Sequence, residues 1–405
     1  MRRAGKGSFS LDHFHSTLKA YKYKLRPSAK IIAIFESWLA ICCELYNAAL
    51  QERRDAYRIA GESLNYARQC AELPDLKSER EDVGRVNAQV LQNVLKRVAF
   101  AFDNFFRRVK NGEKPGYPRF HSRHRYDSFT FPQARGTFRL VGNKLHLSKI
   151  GKVKVHLSRP IDSVIKTCTI KREADGWYVV FAVEEPPSQP LLATGNSVGV
   201  DVGIENFATL STGEVIENPE PLRASEAKLK TAQRCVSRRK RGSKRREKAR
   251  KRLAETHQKI KRQRADFHHK VARKLVSEFD TIAVEDLNVE GMVKNHRLAK
   301  SISDAGWVKF VLILTSKAES AGRMVIKVDP SYTSQDCSQC GHRVKKSLAL
   351  REHRCIKCGF VAHRDHNAAI NIKGRAVPSV MGAGALPREL RTFQAADLES
   401  PSELR

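Results

Sequence analysis

The chain has 405 residues, and its 75 Lys+Arg against 43 Asp+Glu give a formal net charge of +32. A field this strong excludes an ordinary metabolic enzyme and points to a polyanion, nucleic acid first, because each neutralised phosphate releases counterions. Apolar residues make up 41% of the chain, enough for roughly two to four modules with cores of their own.

Residues 1–16 are Gly- and Ser-rich and are expected to be flexible. Arg2 and Arg3 are followed by Gly, Ser, Asp and His where a signal peptide would be apolar. No segment is read as approaching the roughly 18 apolar residues of a membrane span. These features predict a cytosolic protein with no membrane partner. TLKAYKYKLR alternates, which predicts a strand over 17–26. Pro27-Ser28 stops it and caps a helix with Ile31, Ile34, Phe35, Trp38, Leu39, Cys42, Leu45, Tyr46 and Ala49 at helical spacing. A second helix, about 85–109, carries Val90, Leu91, Val94, Leu95, Val98 and Phe102, with Phe105 and Phe106 expected in its core. A basic loop, NGEKPGYPRFHSRHR, spans 111–125. Short strands then fill 126–184, with Gly142-Asn143 and Asp175-Gly176 at hairpin positions. The strand at 17–26 could complete this β-rich module, and Pro186, Pro187 and Pro190 mark a linker.

Beyond the linker, SVGVDVG (197–203) and TIAVED (281–286) read as buried strands, with FATLST and EVIEN as neighbours of the first. Residues 223–277 read as a basic helical hairpin between them: 228–252 alone hold 14 Lys+Arg and the single acid Glu247. A helix over 304–321, a strand over 324–330, a cysteine module and a last short helix follow. The Pro-, Gly- and Ser-bearing stretch 376–405 is expected to be disordered.

Three acids need a common explanation. Asp201 lies in an apolar strand, where a carboxylate is costly unless it meets a cation. Glu285 ends the second apolar strand, and Asp365 precedes the short helix in HRDHNAAINI. Taken singly they read as a turn or cap residue, a solvated strand end and an N-cap. Together in a basic chain they match the acids that two-metal phosphodiester cleavage requires. Cys337-Ser-Gln-Cys340 and Cys355-Ile-Lys-Cys358 have the spacing of a four-thiolate zinc ribbon, whose closed shell gives one structural zinc. His342, His353 and His363 nearby are read as surface or phosphate-facing. Arg238, Arg239, Lys240 and Arg241 in the hairpin are candidate backbone contacts. So are Arg107, Arg108 and Arg119 in a patch interleaved with aromatics. Gln92, Asn93 and Gln133 are amides of the type that reads adenine edges.

These motifs, in this order, resemble the TnpB family of transposon-encoded RNA-guided nucleases, similar to the compact type V CRISPR effectors. The resemblance rests on GVDVGIENFATLSTG, IAVEDLNVEGM, SISDAGW, the paired CxxC knuckles and HRDHNAAINI. LYNAAL, LQNVLKR and NFFRRVKNGEKPGYPRF add to it, and it covers about residues 17–375. It implies a multidomain α/β plus β fold. The parts would be a first wedge strand (17–27), a helical recognition domain (28–110), a wedge β-barrel (111–190) and a split RNase H-like RuvC core (191–330 and 363–375). A target-binding zinc ribbon (331–362) would be inserted in that core. The implied activity is RNA-guided cutting of double-stranded DNA beside a short transposon-adjacent motif, with two magnesium ions on Asp201, Glu285 and Asp365. The guide would come from the element's own transcript, and the protein would act at the nucleoid of a prokaryote. An RNA-guided repressor and a guide-independent accessory of transposition share the basic features but not the need for intact acids. Monomer and homodimer are both compatible with the chain's size. Where many members carry a second acid two residues before the third, this chain has His363.

Overall fold

The computed structural model describes residues 17–347 and 350–381. The segment 1–16 and the part of the expected tail after 381 lie outside the described residues. The chain divides into two compact units, one ending at Pro187 and one starting at Ser188.

The first unit runs β1 (Thr17–Arg26), α1 (Ala29–Ala60), α2 (Tyr66–Ala71), α3 (Leu73–Glu79), α4 (Glu81–Gly84), α5 (Ala88–Lys110), β2 (Ser128–Phe131), β3 (Phe138–Val141), β4 (Lys144–Leu147), β5 (Gly151–His156), β6 (Val164–Glu173) and β7 (Gly176–Glu185). Ser28 caps α1 by accepting from the Ile31 N–H, and Gly61 ends it at φ 66°. The strands form one antiparallel sheet in the order β2-β6-β7-β1-β5-β4-β3. β1 is therefore a central strand, paired with β7 from Thr17↔Glu185 to Lys24↔Tyr178 and with β5 near its end. The two edges, β2 and β3, are joined only by the loop 132–137, and Phe131 and Phe138 on them lie 6.4 Å apart. The sheet must roll to bring its edges together.

The helices and strands expected as two domains share a single core. The reason lies in α1, whose apolar stripe is too wide for α5 alone. Phe35 packs on Trp177 at 4.8 Å and Trp38 on Phe129 at 5.4 Å, both from the sheet. By length and composition α1 could cross a membrane, contrary to the sequence expectation. Its apolar residues instead enter this core, among them Phe35, Trp38, Leu39, Cys42 and Leu50. A second correction concerns Phe106, which is 60% exposed and not in the core. The buried stripe of α5 ends at Ala99, and the residues of its last turns are half-buried or exposed. There Phe102 stacks on Phe106, and Phe105 and Tyr117 meet this pair edge-on. The basic loop is tied to α1 by Asn47, which donates to the His121 carbonyl at 2.9 Å and accepts from the His121 N–H at 2.8 Å.

The second unit runs β8 (Ser197–Val202), β9 (Asn206–Leu210), β10 (Val215–Glu217), α6 (Pro221–Ala224), α7 (Glu226–Ser237), α8 (Lys244–Glu278), β11 (Thr281–Glu285), α9 (Val289–Met292), α10 (Ala299–Ala305), α11 (Trp307–Ser320), β12 (Met324–Val328), β13 (Glu352–Arg354), β14 (Val361–His363) and α12 (Arg364–Met381). Its main sheet has the order β10-β9-β8-β11-β12. β8, β9 and β10 pair antiparallel, whereas β11 is parallel to both β8 and β12. One face of this sheet packs on α8 and α11 through Phe207, Leu275, Phe310 and Leu314. The helix expected over 304–321 is broken at Gly306, which adopts φ 65°. The break lets buried Asp304 cap α6 by accepting from the Leu222 N–H while pairing with Arg264 of α8 at 2.8 Å. Residues 376–381, expected to be disordered, continue α12.

Candidate active site

Strand register brings the first two acids together. β8 and β11 are parallel neighbours, paired Ala283↔Gly199 and Val284↔Val200. One step further along this ladder sets Glu285 beside Asp201, on the same face as Ala283 and Gly199. The third acid arrives through a helix. A Cβ placed on Gly199 would lie 2.0 Å from the Ala369 carbonyl oxygen and 2.6 Å from the Lys373 N, so only glycine lets α12 lie this close to β8. Ala369 and Lys373 share a helix face with Asp365, spaced by four. Asp201 is two residues beyond Gly199 on the same strand face. Antiparallel docking of α12 on β8 therefore sets Asp365 at Asp201.

The electrostatics agree. Burial pushes the Asp201 carboxyl well above the usual carboxylate range, and the charges of Glu285 and Asp365 push it further. Glu285 is also raised by burial, with the Thr333 hydroxyl opposing. Thr333 donates to Glu285 Oε1 at 2.6 Å. Arg364 donates to Asp365 Oδ1 at 3.1 Å, and Arg351, held by Glu205 at 2.8 Å, lies 3.9 Å from Asp365 Oδ2. His363 Nδ1 accepts from the Asp365 backbone N–H at 3.3 Å and so occupies the cap position of α12. Three converging acids, two of which (Asp201 and Glu285) have raised affinities for protons, form a site that a hard divalent cation would stabilise, since it offsets their negative charge. The acids are spread more widely than the cysteines: among the described residues, the cysteines are the group whose ligand atoms all lie within 4.8 Å.

The cysteines meet as their spacing predicts. Cys337 Sγ is 3.7 Å from Cys358 Sγ, and Cys340 Sγ is 3.5 Å from Cys355 Sγ. Four sulfurs about 2.3 Å from one zinc would be about 3.8 Å apart. Each knuckle turns through a glycine in the left-handed region, Gly341 at φ 70° and Gly359 at φ 75°. The Gly341 N–H returns to the Cys337 carbonyl and the Gly359 N–H to that of Cys355. Backbone N–H groups of Cys358 and Lys357 draw the Cys355 thiol down to about 6, whereas the neighbouring sulfurs of Cys340, Cys355 and Cys337 push the Cys358 thiol up, so the support for a metal rests on the sulfur geometry. The fit to one tetrahedral zinc is therefore good. His353, expected at the surface, is fully buried, with its Nδ1 2.8 Å from Lys346 Nζ. The β13–β14 hairpin folds it under Phe360.

The nucleic-acid candidates are mostly solvent-facing. Arg238, Arg239, Lys240 and Arg241 are exposed at the turn between α7 and α8, where Gly242 takes φ 83°. Arg107 and Arg108 sit on the exposed end of α5, with Arg119 in the loop beyond it. Gln92 is exposed and Asn93 half-buried on α5, and Gln133 lies 3.5 Å from Gln89. Residue patterns missed Thr333, Arg351 and Gly199, because each acts through a contact that only folding creates. Asn367, Asn371 and Arg375 did carry a signal, a polar stripe at every fourth position of α12.

Comparison with known proteins adds three family matches. Residues 180–296 match a family described as "Probable transposase" (OrfB_IS605), and 307–372 match the "Cas12f1-like, TNB domain". Residues 17–62 match a "Helix-turn-helix domain", although here they form one strand and one unbroken helix. A Streptomyces pristinaespiralis protein named "Putative RNA-guided DNA endonuclease" is 34% identical over 91% of this chain and 92% of its own length. The "Putative RNA-guided DNA endonuclease InsQ" of Escherichia coli is 29% identical over 96% of this chain and 98% of its own. The solved "Cas12f1-sgRNA-target DNA complex" shares the fold, with a TM-score of 0.55 at 16% identity, covering 85% of this chain and 83% of that one.

Proposed function

The chain belongs to the TnpB family, and on that premise we propose that it is an RNA-guided DNA endonuclease whose catalytic acids are Asp201, Glu285 and Asp365. The observation that carries this reading is the convergence of three acids, each from a different element, at one end of a mixed five-stranded sheet. That sheet supports an RNase H-like RuvC core, and the rolled antiparallel sheet of the first unit supports a wedge barrel joined to the helical recognition lobe. Two magnesium ions at the acids would activate water and stabilise the leaving oxygen. Asp201, Glu285 and Asp365 hold and orient those ions, while Arg351 and Arg364 keep positive charge beside the approaching phosphate. Cys337, Cys340, Cys355 and Cys358 hold the zinc that folds the ribbon next to Asp365. Arg107, Arg108, Arg119 and Arg238–Arg241 contact nucleic-acid backbone, and Gln92, Asn93 and Gln133 read base edges. The partners are a guide RNA from the element's own transcript and double-stranded target DNA at the nucleoid.

The test is to sequence the RNA that copurifies with the protein, then to challenge plasmids carrying its complement with and without magnesium. The expected result is a defined RNA and magnesium-dependent cutting, lost to background in Asp201→Ala and Glu285→Ala with RNA binding retained. Target binding without cutting by the wild type would make the protein a repressor. Target binding with no RNA would make it a transposition accessory.

A further inference from the structure

Glu285 reaches the acid cluster from the last residue of its strand, where pairing with Val328 of β12 fixes the backbone but not the carboxylate. What restrains it is Thr333, an almost fully buried residue (4% exposed) in the segment between β12 and the first zinc knuckle. Its hydroxyl lies 2.6 Å from Glu285 Oε1 and 3.2 Å from the Pro330 carbonyl. The single proton belongs to the shorter, charge-assisted bond. That bond engages one carboxylate oxygen and leaves the other for a cation.

Thr333 is itself held from α12. Asn371 donates to the Thr333 carbonyl at 2.8 Å and to the Asp336 carbonyl at 2.7 Å. Asn367, fully buried, donates to the same Asp336 carbonyl at 2.8 Å and accepts from the Ser338 N–H, next to Cys337, at 3.0 Å. Arg375 donates to the carbonyls of Asp329 at 2.6 Å and Ser331 at 2.9 Å. Asn367, Asn371 and Arg375 recur every four residues and so form one stripe of α12. Asp365, Ala369 and Lys373 form another, against β8.

We propose that Thr333 is the positioning residue for Glu285, and that the Asn367–Asn371–Arg375 stripe holds Thr333 and the first zinc knuckle in register with the acids. One helix then sets two of the three acids: Asp365 directly, and Glu285 through Thr333. This rests on the reading of Glu285 as a ligand for a divalent ion. Groups that hydrogen-bond a ligating carboxylate typically contribute about 10–100-fold to metal affinity or activity.

The experiment compares Thr333→Val, which keeps the shape and loses the donor, with Thr333→Ser, which keeps the donor, and with Glu285→Ala. Mn²⁺ binding to the zinc-loaded, RNA-free full chain is followed by loss of the free-ion EPR signal, and the magnesium requirement for cutting is measured in parallel. Thr333→Val should raise the Mn²⁺ dissociation constant and the half-saturating magnesium by about 10–100-fold. Thr333→Ser should restore both to within a few-fold of wild type, and unchanged melting of Thr333→Val would exclude a general folding defect. Wild-type metal dependence in Thr333→Val, with Glu285→Ala defective, would overturn the proposal and leave the site standing. So would equal defects in the Val and Ser variants. Wild-type Mn²⁺ binding in Glu285→Ala would instead remove the reading of the site.

Discussion

At the scale of single residues, Asp201 concentrates the conflict between stability and function. Its folded-state proton affinity is raised by burial and by Glu285 and Asp365. The folded protein therefore holds a proton that the unfolded chain releases, so stability is highest below the ordinary Asp value near 4. It falls as pH rises through the raised folded value, because there the unfolded state binds fewer protons. Asp201→Asn removes that penalty. In the absence of added magnesium it should melt higher than wild type at neutral pH, with the gap shrinking as pH is lowered toward about 4. Thermal melts across that range check this, and a gap independent of pH would contradict it. The identity of Asp201 was legible because a carboxylate in SVGVDVG has no apolar excuse. Thr333 was not, because nothing local distinguishes it from any threonine before a turn.

At the scale of elements, the contact between β8 and α12 is the join on which the site depends. The two segments are far apart in sequence, and Gly199 is where their backbones touch. Gly199→Val would place side-chain atoms where the Ala369 carbonyl now lies. Overpacking of this kind costs roughly 1–3 kcal/mol, and more where backbone is the obstacle. The expected result is a lower unfolding midpoint together with loss of cutting, since α12 cannot move off β8 without taking Asp365 with it. A variant that is destabilised yet cuts normally would separate the helix contact from the acid geometry. The elements themselves were mostly readable. Alternation marked β1, β6 and β7, and apolar spacing marked α1 and α5. The break at Gly306 was hidden because SISDAGW continues an apolar period. The left-handed turn there serves Asp304, whose partners Leu222 and Arg264 come from distant segments.

At the scale of the whole molecule, charge dominates. With a net +32, binding of nucleic acid should release many counterions, so log affinity should fall linearly with log salt. Replacing Arg238, Arg239 and Lys240 together with serine should flatten that slope by about three units, about one for each lost phosphate contact. Filter-binding titrations from roughly 50 to 200 mM salt measure it, and an unchanged slope would show that the α7–α8 turn faces no backbone. The division into two units was partly visible in the prolines at 186, 187 and 190. The merging of the first unit's helices and strands into one core was not. It follows from the breadth of α1's apolar surface, and breadth becomes meaningful only when a sheet is there to cover it.

Sequence alone determined what is local in chemistry: the sign of the charge, the four thiolates at zinc spacing, and a carboxylate, Asp201, set inside an apolar strand. Each depends on residue type and short-range spacing, which the chain carries before it folds. Tertiary structure decided which groups meet. Parallel pairing aligned Glu285 with Asp201, a missing side chain at Gly199 admitted α12, and the stripe of amides on that helix fastened Thr333 beneath Glu285. Contacts between distant segments depend on packing and register, and no stretch of sequence states them by itself.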